Sequence, residues 1–558
     1  MPYDLRHVPF SAAGSYLALS YLSGHDQVSS TVSLRTVRGG VQHRELLELH
    51  PLVAGAEASA EAEFTPERLR LRAGEGDIEV RFADPSVLRL AASGVGLLLS
   101  ARAPSPYDTL VQVSNKEWRY LHFASGTTLL LRVVAGAARS ESTWDGLRSP
   151  LVRIVADPGT VVEVEELRNE PELPERSDGG PDGVPGFPEW LEGAPPAPSH
   201  LAEARELAAY VTWSSLVGRS GHLRRPSMYM SKNWMVNVWS WDHCFNALAL
   251  RDRLVLARDQ LLTIFDHQSR HGNLPDSIND GTRTYTFTKP PVHGWALLRL
   301  LERGSVGESW LREAYPPLAS WTEWWLRERV APGRRLPHYY HGNDSGWDNS
   351  TVFAAGVPVE SPELAAFLVL QTEALAIVAG KLGDDEAARR WTETSSGLQA
   401  ALLDELWTGD RFLARSALTG EAVPSESLQL LLPLVLGRRL PREVFGAAVE
   451  RLRTGGFLTE HGPATEAVSS PLYEPDGYWR GPIWAPSTLL LVDGLRDGGE
   501  LELARGIAEG FCAMVAESGM AENFDAVTGA GLRDRAYSWT ASVFLVLASD
   551  YLLPPVSD

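Results

Sequence analysis

The hydrophobic pattern changes its period once along the chain, and that change limits the possible folds more than any other feature. From Ser15 to about Glu166 the apolar runs are short and alternating, as in "SYLALSYL", "RLRLRAG", "IEVRFA", "YLHFASGTTLLLRVV" and "TVVEVEEL". β-Branched and aromatic residues fill these runs, and Gly, Pro, Asp and Ser separate them at intervals typical of a sandwich. From about Leu201 the apolar residues recur at every third and fourth position instead. Examples are "LAEARELAAYVTWSSLV", "NALALRDRLVLARDQLLTIFDHQ", "WLREAYPPLASWTEWWLRERV" and "PELAAFLVLQTEALAIVAGKL". A period of two lines one face of a strand, and a period of 3.6 lines one stripe of a helix.

The expectation is an antiparallel β-sandwich domain over residues 1–168 and an all-α domain over residues 201–558. Between them, residues 169–200, "NEPELPERSDGGPDGVPGFPEWLEGAPPAPSH", are too rich in Pro, Gly and acids to sustain either element and read as a linker. The helical region holds runs for about a dozen helices, which in all-α folds pair as antiparallel hairpins. Six pairs closed into a toroid, an (α/α)6 barrel, would use them all.

Charge removes several function classes. Across 558 residues the formal net charge is −20, whereas nucleic-acid and anionic membrane surfaces call for clustered Lys and Arg. A small neutral carbohydrate is compatible with that charge; the residues leave oligomeric state open. Only Cys244 and Cys512 occur, too few for a disulfide framework or a Cys-rich zinc site. "MPYDLRHVPF" lacks the pattern of a signal peptide. No uninterrupted apolar run reaches the ~18 residues of a membrane helix. A cytoplasmic protein without a cofactor is expected.

Four segments interrupt the helices with Gly, Asn, Trp and acids: residues 228–248, 267–280, 341–353, and the pair 474–484 with 521–539. Aromatic rings offer flat apolar faces to the C–H side of a sugar, and carboxylates and amides bond its hydroxyls. Trp239, Trp241, Trp347, Trp479 and Trp484 each lie within a few residues of Asp, Asn, Arg or Glu. The acids have plainer readings as well. Asp242 fits a helix N-cap, and Asp344 and Asp348 fit turns. Residue types alone single out no acid–base pair. There is no G-x-S-x-G elbow, phosphate-binding loop or dinucleotide fingerprint. His267, His271, His338 and His341 lack the H-E-x-x-H pattern, so no metal is expected.

Taken in order, "WSWDHCF", "GWDNS", "GYWRGPIW" and "ENFDAVTGAG" resemble the motifs of glycoside hydrolase family 63 and its clan relatives, which include the trehalases. The resemblance covers about residues 205–552. It implies an (α/α)6 barrel that hydrolyses α-glycosidic bonds with inversion, most simply an α-glucosidase. It also implies that Asp348 is the general acid and Glu522 the general base. Inversion needs two carboxyls about 6.5–9.5 Å apart, one protonated and one ionised beside water. Trp347 would desolvate Asp348 and raise its pKa. By the same resemblance Trp239, Trp241 and Asp242 line the sugar subsite, and Trp479, Arg480, Gly481 and Trp484 form the opposite wall. Gln268, Gly272 and Asn273 match a further substrate loop less closely.

The chain departs from the pattern at one point. Relatives place an Arg within a few residues after the catalytic Asp, and here the run is Asn349-Ser350-Thr351-Val352-Phe353. Two rival readings are a phosphorolytic barrel enzyme and a non-catalytic carbohydrate-binding protein.

Overall fold

The structure, a computed structural model, describes residues 3–22, 28–167, 173, 184–304 and 306–554. Most of the expected linker lies outside these residues. Within its described part, Phe187–Glu192 forms a helix that buries Phe187 and Trp190. Composition alone had argued against that helix; Gly186 precedes it and Pro188 stands in its first turn, where a missing N–H costs nothing.

Two eight-stranded sheets make the N-terminal region, and every strand pair within them is antiparallel. In Arg68–Ala73, Val87–Ser93, Glu117–His122 and Val161–Leu167 every second side chain is buried, as the alternation requires. These side chains join those of the other sheet in one core, Leu69, Val80 and Leu90 with Leu34, Leu47 and Leu97.

Leu17–Leu22 is buried almost throughout because the helical region lies over that part of the sheet. The Tyr210 phenol donates to the Pro9 carbonyl at 2.9 Å, and the Lys232 ammonium donates to Ser11 Oγ and to the Ala12 and Ser15 carbonyls. An ammonium buried this deeply is tolerated because backbone oxygens replace its water.

In the C-terminal region Asp242–Ala249 packs on His293–Glu302, which packs on Pro362–Lys381, followed in turn by Leu428–Arg439, Ala485–Asp497 and Ser538–Tyr551. Ser538–Tyr551 returns to Asp242–Ala249, so the six segments close a ring. Ala202–Ser215, Leu254–Thr263, Glu308–Glu328, Asp385–Leu406, Arg442–Thr454 and Leu501–Ser518 each pack against a ring member.

Pro362–Lys381 is long and apolar enough to cross a membrane, with mean hydropathy 1.6, and 78% of its apolar window is buried inside the protein. Gln371-Thr372-Glu373 interrupts the apolar stretch, which is why run length alone does not mark this helix. The helix is apolar on all sides because other helices surround it.

The helical region also holds strand pairs of two or three residues, including Val238–Trp239 with Ser277–Ile278 and Asn523–Phe524 with Gly531–Leu532. Such short strands carry no readable alternation, and they support the loops at one end of the ring.

Candidate active site

The N-terminal ends of the ring helices converge on one set of side chains. Asp242 is the first residue of its helix, and Trp241, not Asp242, occupies the cap position. The expected capping role is therefore absent. Both Asp242 oxygens are buried without a hydrogen-bond partner among the described residues. Burial raises its pKa well above the usual carboxylate value; Lys289 opposes the shift, and Asp276 and Asp348 add to it.

The 341–353 loop separates its two aspartates by environment. Asp344 lies in the single turn Gly342–Ser345, accepts from Arg329 Nη1 at 2.8 Å, and accepts from the main-chain N–H groups of Thr288 (3.1 Å) and Tyr340 (2.9 Å). It ties three segments together. Asp348 is half-buried, and its pKa is raised by burial first, with Lys289 opposing and Asp276 adding. Gly346, between them, has φ +74°, and a Cβ there would lie 2.6 Å from Trp241 Cζ2. Only glycine fits that close approach.

Glu522 lies across from this loop at the base of its hairpin. Its carboxyl is 3% exposed, and Oε1 has no hydrogen-bond partner among the described residues. Burial pushes its pKa up to about 8; Asp534 adds to the rise, while Arg533 and a hydrogen bond from the Tyr478 phenol oppose it. Tyr478 feels the charges of both Glu522 and Asp348, and Tyr537 those of Glu522 and Asp242. The two phenols thus lie within electrostatic reach of the three carboxyls. Tyr478, Tyr537 and Asp276 lie inside the segments marked in the sequence but were not singled out there, and Lys289 lies outside them. Tyr478, in "DGYWRG", is the nearest to a readable signal, being at positive φ (63°) inside a quoted motif.

The tryptophans pack against one another beneath the acids. Trp479 stacks on Trp484 at 4.0 Å between centroids, Trp347 lies 4.7 Å from Trp479, and Trp241 lies 6.0 Å from it. Trp347, Trp479 and Trp484 are at most 1% exposed, and Trp239 is only partly buried. Asn349 clasps the two loops by accepting from the Trp479 N–H and donating to the Gly477 carbonyl, both at 2.9 Å. Gly481, at φ +150°, has the Glu474 carbonyl 2.2 Å from where a Cβ would stand. Arg480 pairs with Glu474 at 3.4 Å.

Gln268 donates to the Gly272 and Pro317 carbonyls, and Asn273 bonds Ser269, so the contacts of this loop are internal or to the neighbouring helix. Thr351, at the position of the missing Arg, donates to Glu466 at 2.8 Å. Among the described residues the group able to hold a metal ion is His243, Cys244 and His293, with ligand atoms within 4.8 Å of one another. His243 Nε2 and Cys244 Sγ already face each other at 3.7 Å. The four histidines weighed from the sequence are not part of it.

A family model described as "Mannosylglycerate hydrolase MGH1-like glycoside hydrolase domain" matches residues 235–540. The mannosylglycerate hydrolase of Rubrobacter radiotolerans is 25% identical over 451 residues, covering 63% of this chain and 98% of that protein. The glucosylglycerate hydrolase of Mycolicibacterium hassiacum is 24% identical over 412 residues, covering 55% and 91%. Among solved structures, the GH63 mannosylglycerate hydrolase of Thermus thermophilus in complex with Tris and D-glycerate is similar, with TM-score 0.55 and 21% identity, covering 61% of this chain and 99% of that one. A bacterial glucoamylase complexed with acarbose aligns with TM-score 0.62 and 12% identity, covering 99% and 94%. At these identities the structures speak for the fold.

Proposed function

The chain belongs to the mannosylglycerate hydrolase MGH1-like glycoside hydrolase family, within glycoside hydrolase family 63, and is an O-glycosyl hydrolase; from that premise we propose that it is an exo-acting α-glycosidase with Asp348 as general acid and Glu522 as general base. In this reading the closed ring and its outer partners are an (α/α)6 barrel over residues 201–558. The two sheets of residues 1–168 are a β-sandwich, residues 169–200 are the linker, and two buried free cysteines suit a reducing cytoplasm.

The observation that carries the reading is the buried, unpartnered Glu522 oxygen, on a carboxyl whose charge, like that of Asp348, acts on the Tyr478 phenol. Asp348 gives its proton to the leaving oxygen as the glycosidic bond breaks. Water on the opposite face of the ring loses its proton to Glu522 as it bonds the anomeric carbon, and the configuration inverts. Asp242, buried and unpartnered, bonds sugar hydroxyls. Trp239 and Trp241 line that subsite, and Trp347 dries Asp348. Trp479, Arg480, Gly481 and Trp484 form the facing wall, and Gln268 and Asn273 are the remaining substrate-loop candidates.

The relatives' names make α-mannosyl- and α-glucosylglycerate the first substrates to test, beside the α-linked glucose disaccharides. Arg533, 5.0 Å over the Tyr478 ring, pairs with Asp476 at 2.6 Å, and a glycerate carboxylate would have to share or exchange that pair. Glu522 argues against the phosphorolytic alternative, since a carboxylate repels phosphate. A purely sugar-binding protein would not need both Asp348 and Glu522.

One observation favours the reverse division of roles: the pKa of about 8 puts the proton on Glu522 at neutral pH in the empty site. α-Glycosyl fluorides separate the two, because fluoride leaves without an acid. With Asp348 as the acid, Asp348→Asn keeps fluoride hydrolysis while losing the natural glycoside, and Glu522→Gln loses both. The opposite pattern exchanges the roles.

A further inference from the structure

Segment 230–234 lies between the β region and the hairpin that carries Glu522, and it is bonded on both sides. On one side Arg35, on strand Val28–Thr36, donates from Nη2 to the Asn233 carbonyl at 2.6 Å, and Asn233 Nδ2 donates to the His7 carbonyl at 2.9 Å. On the other, the same Nδ2 donates to Asp534 Oδ1 at 2.9 Å. The Asp534 carbonyl in turn accepts the Glu522 N–H at 2.7 Å. Arg35, Asn233, Asp534 and Glu522 are all buried, Arg35 completely. The Arg35 guanidinium also bonds Ser20 Oγ and lies 4.8 Å over the Trp234 ring, so it has one arrangement.

We infer that Asp534 is a positioning residue for Glu522, and that the β region reaches it through Arg35 and Asn233, so the N-terminal sheets form part of the catalytic apparatus. The inference rests on the reading of Glu522 as the base. The geometry gives Asp534 two functions. Its backbone holds the Glu522 N–H just before strand Asn523–Phe524, with Trp539 Nε1 and Thr540 Oγ1 fixing the Glu522 and Ala521 carbonyls from the next helix. Its carboxylate supplies negative charge beside Glu522, which keeps a proton on that residue to higher pH.

The groups facing Glu522 are Tyr478 from the 474–484 loop, Tyr537, and Arg533 and Asp534 of its own hairpin. Those facing Asp534 are Ser231, Asn233, Arg35 and the Ala536 N–H, with His7 and Tyr537 nearby. Burial raises the Asp534 pKa, and the hydrogen bonds from Ser231, the Ala536 N–H and Asn233, followed by the Arg35 charge, oppose that rise.

The test uses full-length protein and α-D-glucosyl and α-D-mannosyl fluoride, whose hydrolysis reports the base without the acid. Asp534→Asn keeps the shape and removes the charge, so the ascending limb of kcat/KM against pH moves to lower pH by about half a unit or more. Asn233→Ala, which breaks the link while leaving both charges, lowers kcat about tenfold with KM little changed. It stands in if Asp534→Asn does not fold. Arg35→Lys keeps the charge but loses the planar reach to Asn233; it lowers kcat in the native background and has little further effect beside Asp534→Asn. An unmoved limb, or Arg35→Lys and Asp534→Asn effects that simply add, overturns the inference. Glu522→Gln serves as the control: if it retains the native profile, the assignment of the base has failed rather than the relay.

Discussion

The two ends of the helical ring hold buried carboxylates in different company, although Asp344 beside the site also keeps an arginine, Arg329. At the C-terminal ends, Asp550 accepts from Arg251 at 2.7 Å and Arg303 at 2.6 Å, and Asp493 accepts from Trp295 and Tyr551 while pairing with Arg299 at 3.2 Å. The arginines lower the Asp550 pKa despite its burial. At the N-terminal ends Asp242 and Glu522 keep unpartnered oxygens, and burial drives their pKa values upward. A buried carboxylate surrounded by arginines is held ionised and helps lock helices together. One left unsatisfied costs stability, and it waits for hydroxyls or water. The same residue types thus serve cohesion at one end and chemistry at the other.

Substitutions at the two ends break that contrast in different observables. The largest effect is expected from Asp348→Asn and Glu522→Gln, each lowering kcat on the natural glycoside by about a thousandfold or more, with an unchanged circular dichroism spectrum. Asp550→Ala is expected to do the reverse: removing one member of a buried charge cluster destabilises by about 3–5 kcal/mol in urea unfolding, and the surviving folded enzyme retains its kcat. Asp242→Asn sharpens the comparison, because the melting temperature should hold or rise while hydrolysis falls by about a hundredfold. If Asp242→Asn melted as early as Asp550→Ala, the two ends would not differ in the way described.

Smaller effects follow from pH and from local backbone. The Glu522 carboxyl has its folded-state pKa raised to about 8 from 4.5. The protonated form is therefore the one compatible with folding, and the stability it contributes is complete below about pH 4.5 and lost as pH rises through 8. Calorimetry from pH 5 to 9 should show Glu522→Gln gaining melting temperature on the native protein as pH rises. Gly346→Ala, at φ +74° against Trp241, should cost about 1–3 kcal/mol and reduce turnover by tilting the Asp348 loop.

The division of the chain into a strand region and a helix region was legible from periodicity, and so was most of the helix series. His293–Glu302 was not singled out, because seven of its ten residues are buried and little polar face remains to mark a period. The two-residue strands that support the site loops are too short to alternate. Within the site, the loops and their tryptophans were legible as motifs, and so was the turn-shaping character of Asp344, to which the structure adds a buried ion pair. The partners that set the electrostatics were not legible. Lys289 reaches the carboxyls through ring closure, which joins segments far apart in sequence, Asp534 and Tyr537 reach Glu522 through the pairing of its hairpin, and Arg35 comes from another region altogether. Periodicity reports which face of an element is buried; it does not report what meets it.

The central claim is that Asp348 and Glu522 act on opposite faces of the anomeric carbon. Proton NMR of the first turnovers tests it most directly, using α-mannosylglycerate, α-glucosylglycerate and the α-linked glucose disaccharides and following the anomeric signal before mutarotation. The β-anomer as first product is the predicted result, and an α-anomer appearing first would contradict the account.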